Sequence, residues 1–176
     1  MDPVEPTTDE SVAPEAVPAP ELLHGAPVTH RQDQRIVHPA REELATIVRT
    51  LRDEGWLMCL DITAVDYLAH PQTDLPPGIE RERFELVVTL ISHTERQRLR
   101  LRVQVPETDP VVPSLFEVHP GTEGMEREVF DMFGISFTGH PDLTRTLMPE
   151  DWQRHPLRKD YAVGSIPVQF KDAPSR

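Results

Sequence analysis

The chain has 176 residues, with 30 acidic and 18 basic side chains, a formal net charge of −12 and one cysteine. That balance argues against a general nucleic-acid binder and against a protein drawn to an anionic bilayer by charge. A lone cysteine excludes an intrachain disulfide, a cysteine-rich zinc site, and a cysteine-ligated iron–sulfur cluster, which needs about four thiolates.

The first 30 residues hold six carboxylates, no lysine or arginine, and six prolines from Pro3 to Pro27. Signal and transit peptides are basic, so no targeting segment is expected here. Large apolar residues are few. Burial cannot offset the entropy of ordering, and residues 1–35 are predicted to form a disordered acidic leader.

PAREELATIVRTLRDEG follows, with Leu44, Ile47, Val48 and Leu51 at helical spacing. Glu42 and Glu43 near its start and Arg49 and Arg52 near its end suit the helix dipole, and Gly55 stops it. WLMCLDITAVDY (56–67) reads as a strand, with Cys59 a small buried hydrophobe. The prolines of HPQTDLPPGIE make a loop.

RFELVVTLI (83–91) and RLRLRVQV (98–105) alternate with period two. A connection over His93–Arg96 would set Leu90 against Leu99, Val88 against Leu101, Leu86 against Val103 and Phe84 against Val105. A slip by one residue would turn this apolar face outward, so an antiparallel hairpin in that register is predicted. Arg98, Arg100 and Arg102 lie on the opposite face, which is expected to be solvated.

TEGMEREVFDMF (122–133) reads as a second helix, with Met125, Val129 and Met132 buried and Gly134 as its stop. Arg127 is an i, i+4 neighbour of both Glu123 and Asp131. The fold class is therefore α+β, a mostly antiparallel sheet packed with helices on one face, over residues 36–138. Residues 139–176 are expected to be an extended, partner-binding segment.

Candidate chemistry is sparse. There is no glycine-rich phosphate loop, no nucleophile elbow, and no compact pair of metal-ligating residues. A metallohydrolase site would have to draw on His119, His140 and His155, with Asp142 and either Glu126 or Glu128. Five of the eight histidines precede proline, which biases the backbone to extended geometry without making a ligand.

The stretch GHPDLTRTLMPEDWQRHPLRKDY (139–161) is different in kind. Its prolines limit ladder hydrogen bonding, and Trp152, Tyr161 and its arginines are residue types that dominate interface energetics. Such a segment either docks on another protein or folds back on its own domain, and the two are compatible.

EREVFDMFGISFTGHPDLTRTLMPEDWQRHPLRKDY (126–161) closely resembles the signature of the C-type subunit of proton-pumping NADH:quinone oxidoreductase, respiratory complex I. DITAVDY (61–67) and the predicted hairpin also fit that family, and the likeness spans about residues 37–161. The family often has Asn-Trp where Glu123 and Gly124 stand, and a second arginine at the position of Thr144.

The resemblance implies a subunit of the peripheral arm, on the cytoplasmic side of the cell membrane, without a cofactor or catalytic residue of its own. Iron–sulfur clusters, FMN, NADH and quinone would lie on partner subunits. The partners would be those carrying the quinone site and the terminal iron–sulfur cluster. Related subunits serve F420-dependent dehydrogenases and membrane-bound hydrogenases. Glu126, Arg127, Glu128, Asp131, Gly134, His140, Pro141, Asp142, Arg145, Pro149, Asp151, Trp152, Arg158, Lys159, Asp160 and Tyr161 fall on the family motif as structural and interface positions.

Overall fold

A computed structural model describes residues 21–32, 34–70 and 75–162. Its main feature is a six-stranded sheet in the order β1-β2-β3-β6-β5-β4. The strands are β1 (Leu22–Leu23), β2 (Ala26–Arg31), β3 (Gln34–Val37), β4 (Met58–Asp66), β5 (Phe84–Ser92) and β6 (Gln97–Val105). Helix α1 (Leu44–Asp53) lies between β3 and β4 in the chain. Helix α2 (Glu123–Phe133) sits in sequence between two short strands, β7 (Val111–Pro113) and β8 (Ser136–Thr138), which pair in parallel.

The first three strands correct the expected leader. Composition assigns residues 21–35 to it, yet β1 and β2 form a hairpin and β3 joins the main sheet. His24 and Gly25 supply the two positive φ values, 51° and 85°, that a two-residue type I′ turn needs. Few large apolar residues suffice because Ala26, Val28, Ile36 and Val37 are all buried. Residues 1–20 of the predicted leader lie outside the described residues.

β3 pairs with β6 in parallel, whereas the other neighbouring strands of the main sheet are antiparallel. The β5–β6 hairpin has the register read from the sequence: Phe84 faces Val105, Leu86 faces Val103, Val88 faces Leu101 and Leu90 faces Leu99. All eight side chains are fully buried. Each such residue contributes roughly 1.5–3 kcal/mol of transfer free energy, which is why the register holds. Leu44, Ile47, Val48 and Leu51 of α1 and Val129 and Met132 of α2 join this core.

The opposite face departs from expectation at Arg102. Arg98 is exposed and Arg100 partly so, but Arg102 is buried, with Nε 2.6 Å and Nη2 2.7 Å from the two oxygens of buried Glu85. Gln104 Nε2 donates to the same carboxylate at 2.8 Å and Tyr67 OH at 3.3 Å. Glu82, arriving from the proline-rich loop, donates its N–H to Gln104 Oε1. Strand alternation places a residue on a face; it does not reveal that a distant loop covers one end of it.

Cys59 is half-buried at the edge of the core, and burial pushes its thiol up to about 12. That is the behaviour of an inert packing residue. Among the described residues, no helix is long and apolar enough to cross a membrane.

Candidate partner interface

The segment after β8 forms a strap held by the end of α2. An α-helix leaves its last four carbonyls without intrahelical partners. In α2 these belong to Phe130, Asp131, Met132 and Phe133. Gly134 N–H closes on Phe130 O at 2.9 Å. The strap satisfies the other three: His155 Nδ1 donates to Asp131 O at 3.0 Å, Leu157 N–H to Met132 O at 3.0 Å, and Arg158 Nε to Phe133 O at 2.6 Å.

Gly134 makes this closure possible. Its φ is +72°, the left-handed conformation of a helix C-terminus. A Cβ there would stand 2.5 Å from His155 Nε2 and 2.7 Å from Arg158 Nη2. The residue is thus required both by its backbone angle and by the strap above it.

Two buried aspartates fasten the strap at separate points. Asp131 Oδ2 accepts the N–H groups of Thr146, Leu147 and Met148 at 3.0, 2.8 and 2.9 Å, while Oδ1 accepts from Arg145 Nη1 at 2.6 Å. Burial alone would raise its pKa. The donors from Met148, Leu147, Arg145 and Thr146 outweigh that and hold the carboxyl below the usual range.

Asp66 ends β4 on the core face, opposite Phe84. It accepts from Arg83 Nε and Nη2 at 3.1 and 2.9 Å, from Leu68 N–H at 2.9 Å, and from Lys159 N–H at 2.8 Å. Burial works against its ionisation, but Arg83 and the two backbone donors lower its pKa on balance. Arg83 also reaches Asp160 at 3.0 Å, so one guanidinium bridges sheet and strap. Arg83 and Arg158 lie 4.8 and 5.0 Å from the centroid of the Phe84 ring.

The remaining motif residues divide by exposure. Glu126 is fully buried and accepts from Ser114 Oγ (2.6 Å), Leu115 N–H (2.8 Å) and Thr122 Oγ1 (2.9 Å), tying α2 to the segment after β7. Glu128 is exposed. Arg127 does not pair with Asp131 as its spacing invited. It donates to Thr144 O (3.1 Å) and Thr144 Oγ1 (2.7 Å), because Asp131 is taken by the strap.

His140 Nε2 donates to Glu123 O at 3.1 Å, and its Nδ1 accepts from Asp142 N–H at 3.1 Å. Pro149 O accepts Trp152 N–H at 3.0 Å, and Tyr161 N–H closes on Arg158 O at 3.0 Å. Trp152 and Tyr161 are half-buried, whereas Pro141, Asp142, Pro149, Asp151, Lys159 and Asp160 are exposed.

The histidines do not assemble as a metallohydrolase would require. His119 is buried, His140 is bound to a backbone carbonyl, and His155 caps α2. Among the described residues, no three His, Cys, Asp or Glu side chains are grouped to hold a metal ion.

Residue-by-residue reading misses Asp66 and Arg83 as strap anchors. A signal exists: in the alternation Ile62, Ala64, Asp66, a carboxylate takes an apolar-face position and so demands a partner.

The outer surface of the strap is partly apolar. Leu147 is 61% exposed and Leu157 47% exposed, although the backbone of each is fixed from beneath. A notch of about 330 Å³ opens beside them in sequence, lined by Arg154, His155, Arg158, Asp160 and Tyr161.

Known proteins share this sequence and fold. Residues 37–166, more than half of the chain, match the family described as respiratory-chain NADH dehydrogenase, 30 Kd subunit. The C-type subunit of the NADH-quinone oxidoreductase of Nocardia farcinica (strain IFM 10152) is 46% identical over 140 residues, covering 78% of this chain and 52% of that one. Its counterpart in Mycobacterium sp. (strain KMS) is 42% identical over 145 residues, covering 81% and 59%. The chain thus spans a little over half the length of these curated relatives.

Among solved structures, the trypsin-resistant fragment (1-134) of Nqo5 superposes with a TM-score of 0.59 at 34% identity, covering 68% of this chain and 90% of the fragment. A chain of the membrane-bound sulfane sulfur reductase, an archaeal respiratory membrane complex, superposes at 0.64 with 22% identity, covering 86% and 89%. That likeness is one of fold. With the family match extending through the strap and relatives more than 40% identical, the chain belongs to the 30 Kd subunit family of the respiratory-chain NADH dehydrogenase, and the NADH-quinone oxidoreductase C-type subunits are its relatives.

Proposed function

We propose that this chain is a non-catalytic assembly subunit in the peripheral arm of a proton-translocating NADH:quinone oxidoreductase. Its strap docks on the subunits that carry the quinone site and the terminal iron–sulfur cluster. The enzyme's FMN, iron–sulfur clusters, NADH and quinone are bound on partner subunits and not on this chain. The chain lies on the cytoplasmic side of the cell membrane, peripherally, through the complex.

The observation that supports this reading best is how the strap is built. Backbone N–H groups and polar side chains are used inward, on Asp131, Asp66 and the end of α2. Two large apolar side chains, Leu147 and Leu157, are left outward. A tail serving only to close its own domain gains little from exposed leucines on a rigid backbone. A docking surface gains much, because its ordering entropy is already offset before the partner arrives.

The test is the variant Leu147→Asp with Leu157→Asp in the whole complex. Co-purification of peripheral-arm partners should fall sharply while the isolated chain keeps its melting temperature. Partners that co-purify undiminished would overturn the docking role. Co-purification of a subunit set without an NADH-binding chain would instead place the protein in an F420-dependent or hydrogenase-type complex.

A further inference from the structure

One end of the sheet is strongly basic in an otherwise acidic molecule. The turns β2–β3 and β5–β6 meet there around a cleft of about 950 Å³, lined by His30, Arg31, Arg35, His93, Arg96 and Arg98 among others. The chain has 18 basic residues in all, and four arginines converge here against a net charge of −12. Among the described residues, Arg31, Arg96 and Arg98 have no ion-pair partner. The four arginines outnumber the two carboxylates that the sequence places in these turns, Asp33 and Glu95, and an anionic occupant would offset the excess positive charge.

The first rung of such an occupant is in place. Glu21 lies 2.7 Å from His30 Nε2 and 3.6 Å from Arg35 Nη2. Its carbonyl accepts the N–H of Val28 at 2.8 Å. β1 runs antiparallel to β2, with Leu23 opposite Ala26 and Leu22 opposite Pro27. From Leu23 back to Glu21 the chain thus runs beside β2 in the direction of Arg31 and the cleft.

We propose that the acidic segment of this same chain, residues 2–20, is the ligand of the basic cleft. It carries Asp2, Glu5, Asp9, Glu10 and Glu15 and no cation. Glu15 is six residues from Glu21, a reach of about 20 Å of extended chain. Pro14, Pro18 and Pro20 lack an N–H, so attraction between carboxylates and guanidinium groups holds the segment, rather than strand pairing. Tethering at Glu21 gives the segment a millimolar-scale effective concentration, enough for weak ion pairs to compete with outside anions. The cleft is then covered by the chain's own charge, which keeps other acidic surfaces off this end of the sheet.

The experiment uses the 176-residue chain and a labelled synthetic peptide of residues 1–20. Three proteins are compared: the natural chain, a neutral-leader chain (Asp2→Asn, Glu5→Gln, Asp9→Asn, Glu10→Gln, Glu15→Gln), and a neutral-leader chain also carrying Arg31→Gln, Arg96→Asn and Arg98→Gln. Asn is used at position 96 because φ there is +53°. The peptide should bind the neutral-leader chain, bind the natural chain about tenfold or more weakly, and lose binding when the arginines are replaced.

Equal binding to the natural and neutral-leader chains, or binding indifferent to the arginine substitutions, would overturn the proposal. So would natural chain that pellets with phosphatidylglycerol vesicles as strongly as the neutral-leader chain, since the cleft would then be open to a lipid surface.

Discussion

Asp131, in the last turn of α2, accepts the backbone N–H of Leu147 at 2.8 Å, and the side chain of that leucine points to solvent. One carboxylate therefore sets the position of an exposed apolar group sixteen residues further along the chain. Thr146 and Met148 donate to the same oxygen, so this turn of the strap is held as a unit. Its geometry is a property of the domain, available before any partner is met.

Asp131→Ala should cost about 3–5 kcal/mol, because it leaves Arg145 and three backbone donors without their acceptor. Denaturant unfolding of the isolated chain measures it. Loss confined to the strap would appear as faster amide exchange at Thr146–Met148 with the sheet still protected.

Acid should release the strap. The folded-state pKa values of Asp131, Asp66 and Asp160 are all depressed: in the first two, hydrogen-bond donors outweigh burial, and in Asp160 the Arg83 guanidinium leads. The stabilisation is thus complete above the unfolded carboxyl value of about 3.9 and is lost as pH falls through the lower folded values. Amide protection at Thr146–Met148 and Lys159 should be flat from neutral pH to about 4 and decline below it. Asp131→Asn should remove that pH dependence at Thr146–Met148 and leave it at Lys159, which is held by Asp66.

Gly134→Ala should destabilise by about 2 kcal/mol, combining the left-handed backbone with displacement of the His155 ring and the Arg158 guanidinium. For a chain of this size that is roughly 4–8 °C in melting temperature. Asn at the same position tolerates the backbone but meets the same side chains, so it should recover only part of the loss.

Glu126→Ala should cost about 3 kcal/mol, since Ser114 Oγ, Leu115 N–H and Thr122 Oγ1 all lose their acceptor. Glu126→Gln should recover most of it. Its amide oxygen can accept from Leu115 and Thr122, and the Ser114 hydroxyl can rotate to accept from the amide nitrogen. A Gln variant as unstable as the Ala variant would show that the charge itself is needed.

Arg102→Ala should be among the most damaging substitutions in the sheet, about 3–5 kcal/mol, because Glu85 would keep a buried charge without its guanidinium. Adding Glu85→Leu should restore much of the loss. Stability of the double variant equal to that of the single one would locate the damage in packing.

The β5–β6 hairpin was legible in the sequence down to its residue pairs. Strict alternation over Phe84–Leu90 and Leu99–Val105 leaves one register that buries every apolar side chain, so local pattern and global packing demand the same answer. Helix α1 was legible for the same reason, and α2 in part: Val129 and Met132 are buried as read, but Met125 is only half-buried, and Glu126 and Asp131 share the buried face. The strap was legible as an unusual run of anchors, and the family resemblance rested on it.

Where those anchors attach was decided by tertiary structure alone. Spacing offered Arg127 to Asp131; folding brought Arg145 and three backbone N–H groups there instead. Arg102 read as solvated until Glu85 and the chain around Glu82 closed on it, and residues 21–35 read as leader until β3 found the edge of β6. Periodicity is a short-range property that each segment carries by itself. A buried charge or a parallel strand pair is stable only when a partner distant in the chain is in place, and no window of neighbouring residues contains that partner.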